Sequence, residues 1–561
     1  MSRYTTRAST LGDLLSDAAQ QWPQAQVIFP GERMTLPELD ERSDVIARAL
    51  IAAGAEVGEH IGVLLEAGLE MLASMFAIAK LGATIVPINE RFRAAELRHL
   101  ICHSDLTLLI TSDHADEALD FIGRLSAALP DLAQASGAVL KLQHAPRLRR
   151  VLLIGGAHAS RPGMAALREL EAAGAALPPQ ELDRRRLAIP LSRPAFLMYT
   201  SGTSAEPKGC LLSHEAFTRQ GRSIALTRYR LAPGDTFWCP LPLFHNGGIA
   251  TLLACLSSGA SFCHAGRFDP AVAVEQLENE RCTHAIPTFE TIWLRVLDHP
   301  SFAEADLSHL RVLLNAGSPE LLRTLQERVP HAIQLANYGC TEVSGHFSMT
   351  VIDDPLERRL FTCGHPLPGM EAKIVDPDSG EQCPPGTQGE ILVRGVSRFD
   401  GYYKAPELTA ALIDEEGWFH TGDLGLLDAC GRISFRGRLK DMLKVGGENV
   451  AAAEVEGFLR THPAVNIAQV VAAPDAYYGE VPAAFVELAP GRSATERELI
   501  DHCLGQIATF KVPRYVRIVK EWPMSGTKIK KFVLREQITA ELQAAGITAA
   551  PKLRASQGAQ R

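Results

Sequence analysis

The sequence contains no C-x-x-C pair: its eleven cysteines (Cys102, Cys210, Cys239, Cys255, Cys263, Cys282, Cys340, Cys363, Cys383, Cys430, Cys503) are odd in number and scattered. This excludes a metal knuckle and a disulfide framework, and a reducing compartment, the cytoplasm, is expected. Aromatic residues are scarce at 6%, so composition marks no aryl-stacking pocket. Positive charge is not in excess either, with 56 Lys and Arg against 65 Asp and Glu and a net charge of −9. A protein that coats nucleic acid is thereby excluded, because phosphate-backbone binding requires a basic face. Long unbroken hydrophobic runs are missing as well. The most apolar stretch, Ile61 to Asn89, is interrupted by Glu66, Glu70 and Lys80 and punctuated by Gly68, Gly82 and Pro87. It reads as strand, helix and strand of a buried core and not as an integral membrane span. The opening MSRYTTRASTLGDLL has neither the apolar core nor the cleavage site of a secretory signal, so none is expected.

What is present is an ordinary globular balance, 46% hydrophobic and 22% charged over 561 residues, which excludes disorder, collagen and coiled coil. Short apolar runs alternate with helical patterns over the first 330 residues: HIGVLL (60–65), ATIVPI (83–88), LTLLIT (106–111), RVLLIG (150–155), AFLMYT (195–200), TFWCPL (236–241) and RVLLNAG (311–317). Each parallel crossover consumes a helix, so the fold class is α/β. Residues 125–194, with EAAGAALPPQELDRRR, read as surface excursions and a connector. From Phe361 to Arg436 short strands and Gly/Pro turns predict an antiparallel β region. Beyond Arg436 a separate α+β lobe of about 120 residues is expected, with its junction at Gly437 to Asp441. The final 20 residues are expected to fray. From Gly437 onward 17 Lys and Arg stand against 13 Asp and Glu. That mild excess suits a small polyanionic ligand or, equally, a solvated surface.

One segment carries the strongest chemical signal. YTSGTSAEPKG (199–209) directly follows an apolar strand, and seven of its eleven residues are Thr, Ser, Gly or Lys. Hydroxyls and unhindered backbone N–H groups wrap phosphate oxygens, and Lys208 supplies charge. It is not the G-x-x-x-x-G-K-[ST] loop, because no second Gly precedes the Lys at that spacing. In NYGCTEVSG (337–345), Tyr338 offers a ring for a purine, Thr341 a hydroxyl for a phosphate oxygen and Glu342 a carboxylate for Mg²⁺. Taken alone, a Tyr-Gly turn with an exposed Glu explains this segment equally well. GWFHTGDLG (417–425) sets Asp423 to accept from both ribose hydroxyls, and GRLKDMLKVGGENV (437–450) sets Arg438 for ribose or phosphate oxygens. Singly, these are ambiguous turns.

The conjunction resembles the adenylate-forming superfamily: AMP-forming acyl-CoA synthetases and fatty-acid-CoA ligases, carrier-protein adenylation domains and firefly-type luciferases. It covers residues 199–209, PLFHNGG (242–248), NAGSPE (315–320), NYGCTE (337–342), TGDLG (421–425), GRLKD (437–441) and PMSGTKIKKF (523–532), in family order. The resemblance implies a large N-terminal domain, residues 1–436, with mixed and parallel sheets flanked by helices and a β subdomain, followed by a small mobile C-terminal lid, residues 437–561. It implies ATP, Mg²⁺ and CoA, a small carboxylic acid (fatty, cyclic or aryl) as substrate, and a homodimer as the candidate assembly. By position, Thr200, Ser201, Gly202, Thr203, Ser204 and Lys208 would cradle pyrophosphate. Gly317, Tyr338 and Gly339 would form the nucleotide pocket, with Tyr338 facing adenine. Thr341 would meet the α-phosphate, Glu342 the metal, Asp423 the ribose diol and Arg438 the ribose or phosphate. Lys440 would be the hinge, and Lys528 the catalytic lysine reaching back from the lid. His245, Ala316, Cys340 and Gly345 would line the acyl pocket, and Gly446 and Gly447 the CoA tunnel, although a simple hairpin turn explains the two glycines as well. Ala205 and Thr527 stand where the family usually has Gly. The alternatives are an enzyme that loads a carrier protein and a non-catalytic nucleotide sensor. Luciferase-like oxidation is not favoured, and the terminal GAQR is not a peroxisomal address.

Overall fold

The computed structural model describes residues 8–113, 119–135, 139–154, 163–178, 180–200, 207–446, 448–525 and 528–553. Two α/β sheets form the larger part. The first has eight strands in the order Gly401–Tyr402, Lys208–Ser213, Pro194–Thr200, Thr84–Pro87, His60–Leu64, Leu106–Thr111, Arg150–Leu153 and Met164–Ala166. It is parallel except where Lys208–Ser213 turns back on Pro194–Thr200 and Gly401–Tyr402 pairs with Lys208–Ser213. The second runs Ile333–Leu335, Val312–Asn315, His284–Thr288, Thr236–Cys239, Ser261–His264, Gln26–Phe29 and Glu32–Thr35.

Helix Leu69–Leu81 packs on strands of both sheets, and every residue of it except Glu70 is buried, as an all-round apolar helix requires. Its one buried cation, Lys80, is fully enclosed. The ammonium donates to the Asp40 carboxylate at 2.7 Å and carbonyl at 3.0 Å, and it also pairs with Asp44. A charge is tolerated there because it is paired.

Residues 125–194 differ from expectation. Helices Leu167–Ala175 and Gln180–Leu187 pack against helix Leu36–Ala52, so this stretch is part of the body and not an excursion. Small residues permit it: a Cβ on Gly174 would fall 2.7 Å from the Ala49 nitrogen, and Arg48 Nε donates to the Gly174 carbonyl at 3.2 Å. The antiparallel region is as read, with strands Met370–Val375, Gly389–Gly395, Phe419–Leu427 and Ile433–Arg438 in that order.

After Arg438 a five-stranded sheet (Glu448–Ala451, Met442–Val445, Gly479–Leu488, Val465–Asp475, with Tyr515–Ile518 beside Gly479–Leu488) carries its own two cores. Alternation with period two divides the long strands. Val470, Ala472, Ala484 and Val486 face helices Ala452–Leu459 and Glu496–Cys503, while Val471, Ala473, Ala483 and Phe485 face helix Lys531–Ala544. The chain end is more ordered than expected as far as Pro551. Ala550 N–H donates to Asp475 at 2.6 Å, Ala476 N–H to the Thr548 carbonyl at 2.8 Å and Arg514 to the Pro551 carbonyl at 3.1 Å. These bonds satisfy backbone groups that a frayed tail would leave to water. Among the described residues no helix is long and apolar enough to cross a membrane.

Candidate active site

Three of the segments singled out above follow the carboxyl ends of parallel strands. Thr200 ends one strand and Asn315 another, and Asn337 follows the strand ending at Leu335. In open α/β sheets this edge is where ligands bind, because loops diverge there and leave a crevice. Tyr338 is buried, and its hydroxyl donates to Asp423 Oδ2 at 2.8 Å. Asp423 is directly opposite Arg438 in the register of Phe419–Leu427 against Ile433–Arg438, and Arg438 Nε is 3.3 Å from Asp423 Oδ1. Asp423 is only 4% exposed, so a single shielded carboxylate joins the phenol and the guanidinium. Burial first, and then the Asp423 charge, push the Tyr338 phenol well up, keeping it a proton donor. Phe435 stacks on the Tyr338 ring, centroids 5.7 Å apart.

The turn that presents Asp423 is held from behind. Gly422 takes φ +67°, which favours glycine. Its N–H donates to Glu390 Oε1 at 2.9 Å, and Glu390 Oε2 meets His420 Nδ1 at 2.9 Å. Thr421 Oγ1 donates to the Ile391 carbonyl at 2.6 Å and accepts from Asp423 N–H at 3.1 Å.

Residues 339–346 form a tight loop in which Gly339 has a steric reason: a Cβ there would lie 1.9 Å from the Gly345 carbonyl oxygen. Ser344 at φ +60° and Gly345 at φ +114° complete the bend. Two flanking helices seal its carbonyls. Gln220 Nε2 donates to Val343 at 2.7 Å and His346 at 2.8 Å, and Asn246 Nδ2 donates to Thr341 at 2.9 Å. Cys340 lies in this loop, its thiol pushed well up by desolvation and by the Glu342 charge, so it stays uncharged.

Lys208 is returned to the site because it pairs with Thr200 across the antiparallel hairpin. Its ammonium sits 5.6 Å from the centre of the Tyr402 ring, and the Tyr402 hydroxyl donates to Glu342 Oε1 at 2.7 Å. Burial and the Glu342 charge push the Tyr402 phenol up. Among the described residues no group of three or more His, Cys, Asp or Glu could hold a metal by itself. One carboxylate beside a phosphate site fits Mg²⁺, which keeps several waters and takes phosphate oxygens.

The structure thus brings Tyr338, Gly339, Asp423 and Arg438 together, and links Glu342 to Lys208 through Tyr402. Ser201, Gly202, Thr203, Ser204 and Gly447 lie outside the described residues, as do the side chains of Lys440 and Lys528. Lys528 opens a short strand paired with Met524–Ser525. His245 is exposed at the start of helix Asn246–Leu256, its ring 4.7 Å from Phe244. Ala316 N–H donates to the Thr288 carbonyl at 2.9 Å, and Gly317 is exposed. Gly446 has φ +60° in a two-residue turn, its N–H donating to the Tyr478 carbonyl at 2.8 Å. The hairpin alone therefore accounts for that glycine. Sequence reasoning missed Tyr402, Phe435, Glu390, Gln220 and Asn246. The aromatic pair in GYYK (401–404) was the signal available for the first.

Helix Ala452–Leu459 of the last lobe closes over this edge. Arg460, at its end, pairs with Glu290, and a Cβ added at Gly457 would meet Glu320 Oε2 at 3.3 Å and Ser318 Cβ at 3.5 Å. A cleft of about 180 Å³, with Phe435, Arg438, Asp441, Ala452, Glu456 and Lys531 on its walls, lies where strand Ile433–Arg438 meets the last lobe.

Comparison with known proteins agrees with this geometry. The AMP-binding enzyme family matches residues 15–403, and the AMP-binding enzyme C-terminal domain matches 454–528. YngI of Bacillus subtilis (strain 168), which bears an acyl-CoA synthetase name, is 36% identical over 539 residues, covering 94% of this chain and 97% of its own. The mitochondrial medium-chain acyl-CoA ligase ACSF2 of Danio rerio is 30% identical, covering 97% of this chain and 90% of its own. Among solved structures, the anthranilate CoA ligase AuaEII with anthranoyl-AMP superposes with a TM-score of 0.82 at 26% identity, over 96% of this chain and 98% of that one. ATP-bound MatB from Rhodopseudomonas palustris gives 0.80 at 25% identity, over 94% and 99%. With the family model matched over residues 15–403 and relatives matched along nearly their full length, the chain belongs to the AMP-binding enzyme family, the adenylate-forming superfamily of the acyl-CoA synthetases.

Proposed function

We propose that the chain is an AMP-forming acid–thiol ligase that joins a carboxylic acid to AMP, releasing pyrophosphate, and then passes the acyl group to the thiol of CoA. The observation that carries this reading is that one short loop, residues 338–342, engages Asp423 and through it Arg438 by way of Tyr338, and engages Tyr402, whose ring faces Lys208, by way of Glu342.

No general base is required. A carboxylic acid with an ordinary pKa near 4 is already ionised at pH 7, so the obstacle is bringing one anion against the α-phosphate of another. Positioning and charge neutralisation lower that barrier. In this reading Tyr338 supplies a face for adenine, Asp423 accepts from the ribose hydroxyls and Arg438 reaches ribose or phosphate oxygens. Thr341 donates toward the α-phosphate, and Lys208 with the loop Thr200, Ser201, Gly202, Thr203 and Ser204 takes the leaving pyrophosphate. Glu342 would hold Mg²⁺, whose chemistry is to neutralise phosphate charge. Lys528 brings a further cation from the lid. The lid begins at residues 437–441, with Lys440 as hinge, and its withdrawal lets the thiol enter past Gly446 and Gly447. His245, Ala316, Cys340 and Gly345 surround the acyl chain. The two separate cores beyond Arg438 support a lobe that moves as a unit.

A pyrophosphate-release screen over fatty, cyclic, aryl and dicarboxylic acids, with CoA, with a pantetheinylated carrier protein and with neither, tests the proposal. Release for at least one acid and a thioester only with CoA are expected. Nucleotide binding without release for any acid would instead identify a sensor.

A further inference from the structure

We propose that Tyr402 is a positioning residue for the divalent cation: its hydroxyl engages one carboxylate oxygen of Glu342 and so orients the carboxylate toward the metal. This rests on the reading of Glu342 as the cation's protein ligand. The short strand Gly401–Tyr402 touches both halves of the phosphate end. Its backbone pairs with Leu211 and Cys210 of the strand that begins at Lys208, and Tyr403 N–H donates to the Gly209 carbonyl at 2.8 Å. Just before it, Phe399 N–H donates to the Glu342 carbonyl at 2.7 Å, so Glu342 is gripped through both main chain and side chain by residues 399–402.

Tyr402 is itself fixed. It is 8% exposed, its N–H donates to Thr409 Oγ1 at 2.9 Å, and its ring packs edge-on against Phe399 with centroids 4.8 Å apart. Its face carries the Lys208 ammonium. A buried donor with one conformation is what a metal-binding carboxylate needs behind it, because an outer partner that fixes the ligand's orientation governs metal affinity.

The test is Mn²⁺ binding to the full-length enzyme with α,β-methylene-ATP and no acid, with free Mn²⁺ read by electron paramagnetic resonance. Tyr402→Phe keeps the ring and removes the hydroxyl, and Glu342→Gln serves as reference. Glu342→Gln is expected to weaken Mn²⁺ binding by more than about 10-fold and Tyr402→Phe by about 10-fold. AMP affinity without metal should change less than about twofold in both, which also reports that the fold is intact. Wild-type Mn²⁺ affinity in Tyr402→Phe beside a weakened Glu342→Gln would overturn the role of Tyr402 alone. Unchanged affinity in Glu342→Gln would overturn the metal reading and this proposal with it. Equal loss of AMP and Mn²⁺ affinity in Tyr402→Phe would show general disruption of the site and also overturn the proposal.

Discussion

Replacing Asp423 by Asn removes one negative charge and almost no volume, and its consequence can be worked out from the contacts. Asp423 is 4% exposed, so little water can stand in for it. Oδ2 accepts from Tyr338 at 2.8 Å and Oδ1 faces Arg438 at 3.3 Å, yet each carboxylate oxygen keeps capacity for another donor. Hydrogen bonds to a charged acceptor contribute roughly 1.5–3 kcal/mol and neutral pairs roughly 0.5–1.5. Two ribose hydroxyls that lose the charge should therefore cost about 2 kcal/mol, or about 30-fold in Kd. Calorimetric titration with AMP and with 2′,3′-dideoxy-AMP isolates this effect. Asp423→Asn should bind AMP about 30-fold more weakly than wild type, while the dideoxy nucleotide, which has no hydroxyls to donate, should lose less than about threefold. Equal losses for the two ligands would mean that Asp423 acts by placing Tyr338 and Arg438 and does not meet the ribose, and the assignment would fail.

Lys528→Ala should slow acyl-adenylate formation by about 10²–10³ and leave thioester formation from supplied acyl adenylate largely intact. Equal loss in both half-reactions would show that the lysine is misplaced. Arg460 and Glu290 are 12% and 14% exposed at the side chain, and Arg460→Ala removes this bridge between lid and body. Because Glu290 can rehydrate once the lid moves, the loss should be about 1–3 kcal/mol, a 5- to 150-fold shift in lid position. Half-reactions measured separately should respond unequally, and identical slowing of both would refute the bridge as a selector of position. Burial depresses His214, His264, His284 and His346 to about 4, against about 6.5 for an unfolded imidazole. The unfolded chain then takes up protons first, so the stability these groups allow is complete above pH 6.5 and is lost as pH falls toward 4. The slope of unfolding free energy against pH near pH 5 should correspond to an uptake of at least about two protons. An uptake below one would refute the neutral burial of these rings.

The larger outlines were legible because they follow from local chemistry. Apolar runs such as LTLLIT (106–111) are strands, and the strand, helix and strand reading of residues 61–89 holds because helix Leu69–Leu81 is buried between two layers. The same logic misjudged residues 167–187. Their Ala, Gly and Arg content looks like surface, and only the approach of helix Leu36–Ala52 to Gly174 shows that smallness serves close packing. Likewise the tail through Pro551 is held by Asp475, 75 residues before Ala550, a bond that composition cannot reveal.

By itself the sequence determined the α/β class and singled out Lys208, Tyr338, Glu342, Asp423 and Arg438 as candidates, since these depend on residue type and on neighbours a few positions away. Tertiary structure alone decided that Tyr338 and Asp423, 85 positions apart, share a hydrogen bond, that Tyr402 reaches Glu342 across 60 positions, and that Arg460 meets Glu290 across 170. The physical reason is that side chains make hydrogen bonds and ion pairs only within a few ångströms. Which of them come that close is fixed by how sheets and loops pack, and not by the order of residues along the chain.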